Sequence, residues 1–303
     1  MKNVNASRRC VNCASAHVEV LRLCYALLNR LNIKHATHIY ELGKNMYEFI
    51  KAIGCHNIAL DITYDCNIQC PNCDRYCNNM PGGTESLMTV DQVKKFVLET
   101  NDLNHIWKCI KLSGGEAILH PQIIDIVAAL KPIFESGKCR NIRILTNGFS
   151  PEKIKLLPNW LIVQNSHKEK DFKRISNGGH SKVGILPIDI DMQVDLNNIQ
   201  CHVMRDFKTG LCSLCLNSWG YYISSPCASV DRIYGFNIGV KSLNEVLSTD
   251  YRCIEDQQAV LCRYCGNASA TAGIKGELTE TYKEVLSAYK LSHKSSSDKL
   301  TRY

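Results

Sequence analysis

Apolar residues recur at helical spacing through the first fifty or so positions. "AHVEVLRLCYALLNRL" and "IYELGKNMYEFIKAI" each gather them on one face, which predicts an N-terminal helical segment over residues 1–55. From residue 57 the period changes. "NIALDIT" reads as a strand, "TVDQVKKFVLET" as a helix opening near Thr89 or Asp91, and "KCIKLSGGE" as a strand running into a glycine turn. "HPQIIDIVAALKPIFES" predicts a helix and "NIRILTNG" a strand. "SPEKIKLL" predicts a short helix with Pro151 in its first turn, and "WLIVQNS" another strand. "KVGILPIDIDMQV" is expected to hold one more. Strands alternating with helices predict an α/β fold with a parallel sheet. Each conspicuous polar motif follows a strand, at the edge where such folds build their sites.

The alternation fades near residue 200. Cysteines return at positions 201, 212, 215, 227, 253, 262 and 265, among Gly, Ser and Asn. Residues 201–277 are therefore expected to form a small, loop-rich domain tied by metal rather than by a large core. A last helix is expected over 278–290, followed by the polar tail "SHKSSSDKLTRY", so that 278–303 reads as helix and disordered tail.

The composition narrows the class. The 303 residues are 45% hydrophobic and 21% charged, which is ordinary for a soluble globular protein. No secretion signal and no run of 18 apolar residues is visible, so a cytoplasmic chain without a membrane span is expected. Seventeen cysteines then become the outstanding number. Disulfides are rare in reducing cytosol, so clustered thiols read first as metal ligands or redox groups. The net charge of +7, from 36 basic and 29 acidic residues, would favour an anionic substrate or nucleic acid. The basic residues are scattered, however, as on a solvated surface.

Four cysteines fall within "ITYDCNIQCPNCDRYC", residues 62–77. Cys66, Cys70 and Cys73 carry a CxxxCxxC spacing, directly after a predicted strand. Structural zinc and ordinary electron-transfer clusters want four protein ligands. Three thiolates on a four-iron cluster leave one iron open, as a catalytic site requires. In this spacing the chain resembles the radical S-adenosylmethionine (SAM) enzymes, whose open iron is chelated by the amino and carboxylate groups of SAM. The position before the third cysteine is often aromatic in that family and is Asn72 here. Cys77 is expected not to ligate.

"KLSGGEAILHP" strengthens the resemblance. Its Gly114, Gly115 and Glu116 match the turn that receives the methionyl ammonium of SAM in the family. Bare glycines permit close backbone approach, and a carboxylate pairs with an ammonium. In "RILTNG", Thr146 and Asn147 would face SAM or substrate, although an Asn-Gly pair is also an ordinary turn. In "IVQNSHK" the resemblance points to Ser166, with Asn165 and Lys168 behind it. It covers roughly residues 57–200 and implies a partial (β/α)6 radical SAM barrel, placed at 56–200.

The later cysteines look like a twitch or SPASM auxiliary-cluster domain. The twitch-like pattern implies a second four-iron cluster on Cys215, Cys227, Cys262 and Cys265, with Gly220 in a hairpin between the first two. Cys212 competes with Cys215, and Cys201 and Cys253 have no clear role. A zinc ribbon on the CxxC pairs Cys212/Cys215 and Cys262/Cys265 is the rival reading. Cys10 and Cys13 form a further CxxC pair, read as ordinary thiols. Cys24, Cys55, Cys109 and Cys139 sit in apolar patterns and read as buried small hydrophobes.

The resemblance implies reductive cleavage of SAM to methionine and a 5′-deoxyadenosyl radical, which abstracts hydrogen from a small molecule for oxidation, epimerisation or rearrangement. It also implies an external one-electron reductant such as flavodoxin or ferredoxin. Modification of a nucleic acid or of a peptide are the rival activities. A noncatalytic iron–sulfur electron carrier is the rival class, against which the Gly-Gly-Glu turn argues.

Overall fold

The structure, a computed structural model, describes residues 57–68, 73, 75–77, 82–166, 213–247, 252–265, 284, 287 and 300–303. The helical segment expected over 1–55 and the strand expected in "KVGILPIDIDMQV" lie outside these residues, as does Cys70.

The expected strands form in the expected order. β1 (Asn57–Thr63), β2 (Cys109–Gly114), β3 (Ile142–Thr146) and β4 (Ile162–Asn165) lie side by side and parallel. The helices α1 (Val90–Asp102), α2 (Ile123–Ala129), α3 (Lys131–Glu135) and α4 (Pro151–Lys155) fall between them. β1 is buried on both faces from Ile58 onward, as its apolar run requires in a covered parallel sheet. Past Asn57, polar side chains enter it at Asp61 and Thr63, near the C-terminal end.

Helix boundaries follow local chemistry. Thr89 caps α1: its hydroxyl accepts the Gln92 amide at 3.2 Å, and the Gln92 side chain returns a bond to the Thr89 amide at 2.9 Å. The helix expected as one over 120–136 is two. Pro132 has no N–H to donate to the preceding turn, and the ladder is interrupted at Leu130.

The cysteine-rich region is joined to the main sheet. β5 (Ser213–Asn217) pairs parallel with the free edge of β1, and β6 (Gly220–Tyr222) returns antiparallel to β5. The strand order is β4-β3-β2-β1-β5-β6, a mixed α/β sheet that is mostly parallel. Helices α5 (Ser225–Tyr234), α6 (Leu243–Leu247) and α7 (Arg252–Leu261) complete this half. Leu214, Leu216, Tyr221, Val230 and Leu243 belong to the same buried cluster as Leu60, Leu112 and Ile144. The region expected to depend on metal thus shares a continuous apolar core with the parallel half.

Residues 300–303, expected within a disordered tail, are docked. The Tyr303 amide donates to the Ser218 carbonyl at 3.0 Å. The Tyr303 and Tyr221 hydroxyls each donate to Glu99 of α1 at 2.7 Å, and Lys95 stands 3.8 Å over the Tyr303 ring. Arg302 donates to the carbonyls of Glu85 and Leu87. These partners lie far away in sequence, which is why a local polar pattern conceals the docking.

Thr89→Ala should remove one orphan-amide partner from α1 and lower stability by about 1 kcal/mol in urea unfolding.

Candidate metal centre and cofactor site

The cysteine loop leaves β1 at the C-terminal edge of the sheet and is fastened to the end of β2 by main chain alone. The Gly115 amide donates to the Thr63 carbonyl at 2.7 Å, and the Glu116 amide to the Asp65 carbonyl at 2.8 Å. Gly114 has φ +126°, and a Cβ there would fall 2.0 Å from the Thr63 oxygen. A Cβ on Gly115 would fall 2.2 Å from the Asp65 oxygen. The two glycines are therefore demanded by the main chain that leads into Cys66.

Glu116 is buried and already engaged. One carboxylate oxygen accepts the Asn147 amide at 2.7 Å, the other the Ile118 amide at 3.3 Å. It thereby ties the turn after β2 to the turn after β3. The Asn147 side-chain amide donates to Asn67 in the cysteine loop at 2.9 Å, and its oxygen accepts the Phe149 amide at 3.0 Å. Thr146 Oγ1 accepts the Gly148 amide at 3.1 Å, so the "TNG" is a turn and also a contact with the loop. Ser166, just past β4, is held by its amide on the Thr146 carbonyl at 2.8 Å. Its hydroxyl is buried without a hydrogen-bond partner among the described residues, at this edge of the sheet. Lys168 lies outside the described residues.

Cys66 and Cys73 are half-buried and pack beside Cys77, Tyr64, Trp219 and Leu300. Cys77 is fully enclosed, with its thiol 3.8 Å from the Arg75 carbonyl. A hydrogen bond with Cys73 raises the Cys77 thiol well above its ordinary pKa, and burial adds to this. Beneath the loop lies a polar cluster that the sequence reading missed. Asp61 is fully buried and meets the Arg75 guanidinium at 3.4 Å. Ser113 of β2 donates to the same carboxylate at 2.7 Å. An Asp inside "NIALDIT" and an Arg inside the cysteine loop were the available signals.

Cys215 joins this cluster, its thiol 3.5 Å from Asp61. Burial and the neighbouring carboxylate push that thiol well up. Cys227, Cys262 and Cys265 gather in the same buried hydrophobic cluster as Cys215. Ser224 caps α5 by accepting the Cys227 amide at 3.3 Å, which sets Cys227 in the first turn. Cys262 and Cys265 flank the tight turn after α7, and both thiols interact with that of Cys227. All three are almost fully buried. Gly220 opens β6 with φ +145° and would carry a Cβ 2.6 Å from the Val240 oxygen, so the expected hairpin glycine is in place. Cys212 lies outside the described residues.

The donor chemistry of both sets suits a thiophilic metal centre: soft sulfur ligands, free of disulfides, at the loop and at the α5/α7 junction. Among the described residues no group of three or more His, Cys, Asp or Glu side chains is yet arranged to hold an ion. The thiols are neighbours, without a ready-made cage.

No family model matches this chain, and a search of curated proteins finds no match.

Two expectations follow from this geometry. Glu116→Gln leaves one backbone N–H facing an NH2 group in place of an oxygen. It should cost about 1–3 kcal/mol in urea unfolding. The second concerns His120, whose Nδ1 accepts the Gln122 amide at 3.1 Å while Nε2–H donates to the Met88 carbonyl at 3.0 Å. That arrangement needs a neutral ring, and burial lowers the His120 pKa. The unfolded chain then binds a proton that the fold resists, so this contribution is lost as pH falls below about 6.5. His120→Gln should reduce the drop in the urea midpoint between about pH 7.5 and 5.5.

Proposed function

We propose that the chain is a radical SAM enzyme built on a partial (β/α)6 barrel, with an auxiliary iron–sulfur centre, acting on a small-molecule substrate. The observation that carries this reading is the interlock of two motifs. The CxxxCxxC loop and the Gly-Gly-Glu turn follow adjacent parallel strands and are bonded main chain to main chain just before Cys66. Neither spacing alone would require that contact.

Cys66, Cys70 and Cys73 would hold the SAM-binding four-iron cluster. Gly114, Gly115 and Glu116 would bound the place of the methionyl group. Glu116 supplies negative charge there. Asn147 steadies the cysteine loop through Asn67. Ser166 offers an unspent hydroxyl at the end of β4 for a polar group of SAM or substrate. When bound, the cluster and SAM together supply the electron transfer and radical generation. The residues described here bind, orient and keep out water.

Cys227, Cys262 and Cys265 would hold the auxiliary centre. Cys215, the fourth ligand implied by the resemblance, faces Asp61, and Cys212 remains the competing fourth thiol. A mostly apolar core already ties this half to the sheet, which favours a role in electron transfer or substrate contact over a folding staple.

Two measurements test this reading. Anaerobically reconstituted protein should carry about eight irons, as two four-iron clusters require. Zinc with about four irons would place a ribbon at the later cysteines. Replacing Cys66, Cys70 and Cys73 together by Ala should abolish 5′-deoxyadenosine formation from SAM and dithionite. Part of the visible iron–sulfur absorbance should remain. Undiminished turnover in that variant would reject the assignment.

A further inference from the structure

Helix α5 links the two groups of thiols. Cys227 stands in its first turn with Cys262 and Cys265, and Arg232 stands near its other end. Arg232 is 1% exposed, unusual for a guanidinium. It reaches out of the C-terminal half and donates to the Arg75 carbonyl at 2.9 Å, inside the cysteine loop. Its guanidinium also lies 4.3 Å over the ring of Tyr64, the residue that begins that loop. Arg75 is in turn anchored by its side chain to Asp61 of β1. The loop is thus gripped twice between Cys73 and Cys77: by Asp61 from below through the side chain, and by Arg232 through the main chain.

The same group carries charge, which an arginine keeps even when buried. Burying a cation is costly, and a hydrophobic residue of similar volume is often tolerated as well. The 2.9 Å bond to the Arg75 carbonyl and the contact with the Tyr64 ring give this guanidinium a direct hold on the loop.

We propose that Arg232 is a positioning residue that locks the cysteine loop to the α5 half and stabilises added negative charge on the metal centre held by Cys66, Cys70 and Cys73. The electrostatic part rests on the radical SAM reading; the mechanical part does not. Thiolate ligands make such a centre anionic, and its reduction adds one more negative charge. A fixed cation nearby lowers the cost of that charge and raises the potential. The guanidinium donates to the loop carbonyl through one nitrogen while its centre lies over the Tyr64 ring; a lysine ammonium is a single point charge on a flexible stem and would not hold both contacts with the same geometry.

The test uses Arg232→Lys, which keeps the charge, and Arg232→Met, which removes it. On metal-free full-length chain, hydrogen exchange is read at the amides of residues 64–68 and 75–77. Amides of β2 and β3 serve as the reference for global stability. Both variants should exchange faster in the loop than wild type, with the reference strands little changed. Wild-type loop protection in both variants would overturn the tether. On anaerobically reconstituted protein, the midpoint potential of the SAM-responsive iron–sulfur EPR signal is titrated. Arg232→Met should shift it downward, and Arg232→Lys should keep it close to wild type. Equal potentials in all three proteins would overturn the electrostatic role. A wild type with no SAM-responsive signal would reject the radical SAM reading and, with it, the electrostatic role, while the exchange experiment still decides the tether. If Arg232→Met fails to fold, Arg232→Lys still decides both. Its loop must loosen, and its potential must stay above that of an Arg232→Gln protein.

Discussion

The site depends on one close approach: the end of β2 lies against the main chain that leaves β1. Two carbonyls, of Thr63 and Asp65, accept amides from the Gly-Gly-Glu turn, and no side chain can fit at 114 or 115 without displacing them. Because the contact is between main chains, it fixes the start of the cysteine loop whatever its side chains do. Glu116 extends the grip to the turn after β3, and Asn147 brings it back to the loop at Asn67. Three successive strand ends are thereby held in one constellation.

Most of the parallel half was legible. "NIALDIT", "NIRILTNG" and "WLIVQNS" each announce a strand by their apolar runs and turn residues, and Thr89 with Gln92 announces a helix start. Gly114, Gly115, Glu116, Asn147 and Ser166 all lie at the C-terminal edge of the sheet. Their duties were less legible. The glycines make room for protein main chain, and Glu116 spends an acceptor site on each of two amides, facts that depend on which strands become neighbours.

The later half was the harder part because its pairing is distant. Cysteine spacing suggests a metal-tied module, yet β5 is recruited by the open edge of β1, and its leucines enter the main core. The same alternation that points Leu214 and Leu216 to one face turns Cys215 to the other, toward Asp61. Arg232 and Leu300 reach the cysteine loop from equally remote positions. No local pattern can reveal such contacts, since each partner looks ordinary in its own neighbourhood.

The placement of β5 has a consequence for biosynthesis. A ribosome delivers β1 to β4 first, and β1 must wait for Ser213–Asn217 before its second edge is covered. During that interval the growing chain carries an apolar strand with exposed amides and carbonyls, a template for pairing with other nascent chains. Slow translation between residues 166 and 213 would prolong the exposure, whereas a chaperone bound to the unfinished sheet would shorten it. For this chain, the yield of soluble protein is tied to the timing of synthesis as well as to the stability of the finished fold.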